Sequence, residues 1–334
     1  MDRTAPALVS SLLVLAACAS GPGAVPGHEP PSGAAAWQSP LHRDHPLVGK
    51  IWSPSQARFV EPADLLRAAT RADFVLLGET HDNADHHLLQ AWLLRAIVDA
   101  GRRPAVAFEM LGTDQQADLD RALAGPATAD DVRKAVRWDE SGGWSFDFYR
   151  PLFELALVAK LPIVAANLPR DMAREVARKG GDALPEKLRA RLARDEPLPE
   201  AVRAALRKEM SDSHCGALPE SMLDPMALVQ RAWDAHMAER LEEAGTERGG
   251  VLVTGSGHAR TDRVQAHLAR DLPGRSVVSV SFQEVVSKRA EPAQYVEDYG
   301  TPTLPFDYVV FTPGAKREDP CEKLREHMRS RPAK

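Results

Sequence analysis

Six short apolar runs punctuate the chain: FVLL at Phe74–Leu77, AVAF at Ala105–Phe108, IVAA at Ile163–Ala166, VLVT at Val251–Thr254, VVSV at Val277–Val280 and YVVF at Tyr308–Phe311. They show little of the apolar–polar alternation of a strand with one wet face, so each is predicted to be a strand buried on both faces. Between most of them apolar positions recur at intervals of three and four. After the first run, Leu89, Leu93, Ala96, Ile97 and Ala100 share one helix face, and Asp82 or Asn83 stands at the N-cap. Strands alternating with helices predict an α/β fold, a mostly parallel sheet flanked by helices on both faces. The alternation breaks between about 170 and 246, a nearly all-helical and heavily charged stretch, read as a helical insertion or cap on that domain. Its last helix carries an apolar stripe at Met226, Val229, Trp233, Met237 and Leu241, with Gln230 and Asp234 paired at i, i+4 beside it.

The N-terminus is patterned differently. Residues 1–17 read as a signal peptide: Arg3 precedes an apolar stretch, Ala7–Ala17, too short to span a bilayer. It ends in Leu15-Ala16-Ala17-Cys18, which resembles a bacterial lipobox and makes Cys18 the expected lipidation site. A plain signal peptide with an incidental Cys, or an apolar cytosolic N-terminus, is the alternative. An acylated Cys18 anchors a chain to the lipid bilayer without spanning it. Ala19, in place of an Asp, favours the outer membrane of the cell envelope. Residues 18–45, rich in Gly, Pro, Ala and Ser, read as a flexible tether, and 46–334 as the α/β domain. Beyond Cys18 only Cys215 and Cys321 remain; they are free to pair in an oxidising compartment, and sequence does not decide whether they do.

Composition changes the picture mainly by exclusion. With 42 basic and 47 acidic side chains, net charge −5, the chain lacks the basic excess of a nucleic-acid partner. Its 44% apolar content excludes intrinsic disorder. Only ten of the 42 basic residues are Lys, so a lone Arg carries little information. There is no HExxH, no GxSxG and no Walker loop.

The candidate chemistry lies where four predicted strands end. The first runs into Glu79-Thr80-His81, the second into Glu109-Met110, the third into Asn167-Leu168-Pro169-Arg170 and the fourth into Gly255-Ser256-Gly257-His258. In an open α/β sheet, ligands bind outside the carboxyl ends of the strands, so Glu79, His81, Glu109 and His258 are expected to converge. Carboxylates beside imidazoles serve as metal ligands, as general acid and base, or as ligand-binding groups. Singly, each also has a structural explanation as a cap, an ion-pair partner or a turn residue. His86 is read as a core histidine. His214, next to Cys215, is a further potential ligand, although two neighbours alone do not make a metal site. The most aromatic stretch, Trp138–Tyr149, supplies either core or the walls of a flat apolar ligand. Within it Tyr149 is the candidate axial ligand to haem iron, because a phenolate is a hard anionic donor suited to ferric haem.

The motifs LLGETHDNADHH, VAFEM, FDFYRPLFELA, IVAANLPR, HCGALP, QRAWDAHMAERL and VLVTGSGHAR, in this order between Phe74 and Arg260, resemble the ChaN-type haem-binding lipoproteins of the Tiki-like superfamily. The resemblance implies haem as cofactor, iron or haem uptake at the bacterial envelope, and an α/β fold with a helical insertion. Its lipobox agrees with the one here. The superfamily also contains metal-dependent peptidases and erythromycin-esterase-like hydrolases, whose GE-x-H and G-x-x-H motifs match Glu79, His81 and His258. A divalent-metal hydrolase using Glu79, His81, Glu109 and His258 is therefore the rival function. Where the family continues from GxGH into a Gly-Val-Pro turn, this chain has Thr261-Asp262-Arg263-Val264-Gln265 after Arg260, which leaves the following helix unoriented. For haem, Arg170 is a candidate partner of a propionate, since Arg pairs bidentately with carboxylates. A homodimer enclosing the flat ligand, and an outer-membrane receptor or transporter, are the expected partners.

Overall fold

Each of the six apolar runs becomes a strand of one sheet. The computed structural model describes residues 36–141, 144–319, 321 and 322; the expected signal peptide, Cys18 and the tether up to residue 35 lie outside them. β1 (Ile51–Ser53) and β2 (Arg58–Val60) form a short antiparallel hairpin. β3 (Phe74–Glu79), β4 (Ala105–Gly112), β5 (Ile163–Asn167), β6 (Gly250–Gly255), β7 (Val277–Glu284) and β8 (Tyr308–Thr312) are the predicted strands. The order across the sheet is β2-β1-β8-β7-β3-β6-β4-β5, parallel from β8 to β5, with β1 antiparallel to β8. The hairpin escapes sequence patterning because three-residue strands have no measurable period.

Both sides of the strands are buried, as the unbroken apolar runs require. Val75, Leu77, Val106, Phe108, Val251 and Val253 pack under one helical layer. That layer comprises α1 (Pro62–Arg71), α2 (Ala84–Asp99), α3 (Gln116–Leu123), α4 (Ala129–Ala135), α5 (Trp138–Ser141) and α6 (Phe146–Val158). The alternate residues Phe74, Leu76, Ala105, Ala107, Val164 and Leu252 face the other way. In the predicted insertion, α7 (Arg170–Lys179), α8 (Glu186–Ala193) and α9 (Glu200–Ser213) pack onto α10 (Glu220–Gly245). α10 itself lies on β4, β5 and β6. The last helix of the charged stretch is thus part of the layer covering the second face, which α11 (Ser256–Ala259) and α12 (Val264–Asp271) complete.

Three further features bear on the site. The N-cap of α2 is Asn83, whose side chain accepts from the Asp85 amide. The expected tether gives way to packed chain earlier than residue 45: Trp37 is buried, and the amides of Gln38 and Ser39 each donate to the Asp85 carboxylate at 2.8 Å. A single indole in a Pro- and Gly-rich stretch is enough to anchor it. Cys215 and Cys321 form a disulfide. Among the described residues no helix is long and apolar enough to cross a membrane.

Candidate functional site

The sheet order puts β3, β6 and β4 side by side, so Glu79, Gly255 and Glu109 meet at their carboxyl ends; Glu79 and Gly255 are register partners. In β4 the register shifts between Phe108 and Gly112. Such an irregularity re-aims a side chain at a strand end, and here Glu109 Oε2 accepts from the Gly255 amide at 2.7 Å and from the Thr254 hydroxyl at 2.6 Å. His258 is carried in by α11, which sits close against β3 because residue 78 is glycine. A Cβ there would stand 2.7 Å from Ala259 Cβ and 2.9 Å from Ser256 Cα.

Two imidazole–carboxylate pairs result. His81 Nδ1 donates to Glu79 Oε1 at 2.7 Å, and the Tyr149 hydroxyl donates to the same oxygen at 2.9 Å. His81 Nε2 has no hydrogen-bond partner among the described residues and lies over Gly255. The ring is 31% exposed and leans on Trp144, centroids 4.7 Å apart. The second pair is buried: His258 Nδ1 donates to Asp234 Oδ1 at 2.7 Å, with Glu109 Oε1 3.6 Å from Nε2 and the Gln230 amide nitrogen 3.3 Å from Nδ1. Glu79 Oε2 is buried and has no hydrogen-bond partner among the described residues.

Electrostatics follow from this packing. Burial opposes a proton on His81, but Glu79 outweighs it, helped by Glu109 and Asp82, and lifts the pKa to about 9. His258 is raised in the same way, burial being outweighed by Glu109 and Asp234. Burial pushes Glu109 up; the charges of His258 and His81 and the bonds from Thr254 and Gly255 bring it below its usual value. Tyr149 is driven well above 10, first by burial and then by the Glu79 charge it donates to.

All four strand-end residues, Glu79, His81, Glu109 and His258, are therefore brought together. Tyr149 is also at the site. It is fully buried beneath Glu79 with its proton held, the physical opposite of an exposed phenolate. Most of its aromatic stretch is core: Trp138 and Phe146 are buried, Phe148 stacks on His87, and Trp144 packs against the His81 ring. Arg170 begins α7 just after β5 and is exposed. His214 closes α9, bonding the Met210 carbonyl at 2.9 Å, and contacts none of the strand-end group. His86 is a core histidine: Nδ1 accepts from the Thr80 amide and Nε2 donates to Thr312, both at 2.8 Å. Sequence reasoning missed Asp234 and Gln230 as site residues. Their signal was present, a polar i, i+4 pair beside an apolar stripe, but only the docking of α10 aims them at His258. Among the described residues no three His, Cys, Asp or Glu side chains are placed to hold a metal ion.

Residues 65–267 match a family described as haem-binding uptake, Tiki superfamily, ChaN. The chain belongs to this family. Its fold is similar to that in a structure of cofacial haem binding to ChaN of Campylobacter jejuni, with TM-score 0.60 and 23% identity over 78% of this chain and 95% of that one. Fainter likenesses are to the type III effector HopBA1, at 16% identity, 75% and 91% coverage and TM-score 0.42, and to a variant of the erythromycin esterase EreC in its open conformation, at 16% identity, 82% and 86% coverage and TM-score 0.40. No curated protein sequence matches the chain.

For a ChaN-family chain the question is whether these residues suit haem, and three observations say that they do. A metal-ligating histidine ordinarily donates its second nitrogen to a carboxylate, as His81 does to Glu79. Its other nitrogen has no hydrogen-bond partner among the described residues and lies against Gly255, where a Cβ would stand 3.2 Å from it. An indole, Trp144, stands beside the ring, where an aromatic macrocycle needs an apolar wall.

Proposed function

We propose that this ChaN-family protein binds haem at the carboxyl ends of β3, β6 and β4, as a lipid-anchored carrier in haem or iron uptake at the bacterial envelope. The observation that carries the reading is His81, with Nδ1 tied to Glu79, Nε2 without a hydrogen-bond partner among the described residues, and a side chain 31% exposed. His81 is the residue we assign to the iron, Trp144 to the macrocycle face and Arg170 to a propionate. Glu79 orients His81, and Tyr149 in turn fixes Glu79 from below. Bound haem would supply a ferric centre able to accept a protein donor. Anchoring through acylated Cys18, placement on the outer membrane, a homodimer giving the second wall of a flat ligand, and delivery to an outer-membrane receptor or transporter belong to the same proposal.

The test is a ferric haem titration of the full chain, followed in the Soret region. A saturable shift that is lost in His81→Ala and kept in Tyr149→Phe is the expected result; no saturable shift in the parent protein overturns the reading.

One observation favours a second reading, hydrolysis. Asp234, His258 and Glu109 line up as an orienting acid, an imidazole and a further carboxylate, the layout of a general acid–base. Its divalent-metal form asks Glu79, His81, Glu109 and His258 to share an ion, and no three of them are so placed. Turnover of ester or peptide panels that disappears in His258→Ala would support it.

A further inference from the structure

The C-terminal segment after β8 crosses the carboxyl edge of the sheet and ties the loop that carries His81 to the helical insertion. The Pro313 carbonyl accepts from Asn83 Nδ2 at 3.0 Å, Gly314 bridges to Leu41, and the Ala315 amide donates to Glu284 Oε1 at 3.0 Å. Arg317 then grips two carboxylates at once: Asp82, from Nε at 2.8 Å and Nη2 at 2.7 Å, and Glu284, from Nη1 at 2.7 Å and Nη2 at 2.6 Å. Asp82 is the residue next to His81. Four residues further on, a span of at most about 14 Å, Cys321 is bonded to Cys215 in the loop after α9. α9 reaches the other half of the site through Glu209, which accepts from Arg263 at 2.5 Å, at the start of α12.

The holding forces along this segment are unequal. Residues 316–319 are exposed and bury no apolar side chain, so they contribute no hydrophobic anchorage. Exposed ion pairs are individually weak and salt-screened. The backbone bonds at Pro313, Gly314 and Ala315 hold Arg317 from one side; the covalent bond to Cys215 holds it from the other and raises its effective concentration beside Asp82. Cys215 and Cys321 are both only partly buried, which leaves the disulfide open to thiol exchange.

We propose that the Cys215–Cys321 disulfide is a redox latch: oxidised, it holds the C-terminal strap and, through Arg317 and Asp82, the His81 loop in place; reduced, it lets both loosen. The reductant is a dithiol. Its first thiolate attacks one sulfur and displaces the other as a thiolate. Its second thiolate then releases the mixed disulfide, so two electrons and two protons pass to the cysteines while the dithiol closes to a cyclic disulfide. As a control on ligand binding, the latch rests on the haem reading above; as a control on the loop, it does not.

The experiment is hydrogen exchange on the full chain, oxidised and after treatment with dithiothreitol, at about 1 M salt, where screening acts within ~3 Å. Thiol titration verifies complete reduction. The reporters are the amides of Thr80, Asn83, Asp85 and His86, each hydrogen-bonded within the loop; those of Val75–Leu77 in β3 are the control. Reduction should raise loop exchange about fivefold or more and leave β3 unchanged, and Cys321→Ser should reproduce this without dithiol. Arg317→Ala should raise the same amides with the disulfide intact, after which reduction adds nothing. Unchanged loop exchange after full reduction overturns the latch, and so does an equal rise in β3, which would make the disulfide a global staple. If the oxidised chain binds no haem, the haem reading falls while the exchange data still decide the latch. If haem binds and the loop loosens on reduction, but haem leaves equally fast in both states, control of the site is overturned.

Discussion

A side chain at Gly255 would place its Cβ 3.2 Å from His81 Nε2, so the end of β6 is the floor on which the imidazole rests. The contact is tight without being prohibitive, because the ring is partly exposed and has room to yield. Gly255→Ala keeps the backbone amide that donates to Glu109 and displaces the His81 ring by a few tenths of an ångström. We expect a stability change of under about 1.5 kcal/mol together with a clear loss of haem affinity. Denaturant titration and Soret titration on the same preparation check both, and an unchanged affinity would remove Gly255 from the site.

Haem binding is expected to depend on pH through His81. Its pKa of about 9 means that the ring carries a proton at neutral pH, and an iron bound at nitrogen must displace it. Apparent affinity should therefore rise by up to tenfold per pH unit between pH 6 and 8 and flatten above about 9. The protein without ligand moves the other way. Folded His81 has a pKa above the unfolded value of 6.5, so its stabilisation is full below about 6.5 and is lost as the pH rises through 9. In His81→Gln the stability slope should shrink.

Tyr149→Phe removes one of two donors to a buried carboxylate oxygen. Leaving a buried acceptor with fewer donors costs about 1–3 kcal/mol, which thermal or denaturant unfolding will register. Because the hydroxyl lies beneath Glu79, the haem spectrum should change little. A lost Soret shift in this variant would return the iron to Tyr149.

Acid should destabilise the protein through His267. Burial holds its pKa at about 4, Arg270 and Arg191 adding to the effect, and its Nδ1 accepts from Arg270 at 2.9 Å, which a protonated ring cannot do. The folded pKa lies below the unfolded 6.5, so this stabilisation is present above pH 6.5 and is lost as the pH falls towards 4. At about 1.4 kcal/mol per unit the loss is on the order of 2–3 kcal/mol. Urea midpoints at pH 7 and pH 4 should differ less in His267→Gln than in the parent chain.

Side chains stand in for a further strand along the β5 edge of the sheet, Gln116 foremost. Gln116, the first residue of α3, accepts from the Ala165 amide at 2.7 Å and donates to the Ile163 carbonyl at 3.3 Å, standing in for a neighbouring strand along β5. Gln116→Ala should cost about 1 kcal/mol and expose an edge prone to intermolecular pairing. Light scattering during refolding would detect the second effect.

The strands and the site's strand-end members were legible because they depend on local rules. An unbroken apolar run buried on both faces needs no partner to be recognised, and a parallel sheet gathers the residues at its carboxyl ends whatever the strand order. Glu79, His81, Glu109 and His258 could thus be grouped from the chain alone, and the motif order carried the family. The β1–β2 hairpin and the docking of Trp37 left no comparable periodic trace, and the apolar stripe of α10 did not say which face of the sheet it covers.

What each site residue does was decided by tertiary structure. Tyr149 has the chemistry of an iron ligand in any sequence, but α6 packs it beneath Glu79, where desolvation and a facing carboxylate hold its proton on. Asp234 lies more than twenty residues before His258 and becomes its partner only because α10 crosses the sheet above it. The pairing of Cys215 with Cys321 likewise follows from the path of the tail across the carboxyl edge. Residue type sets which proton or metal a group can hold; burial and the nearest charge set whether it does, and both are properties of the packed chain.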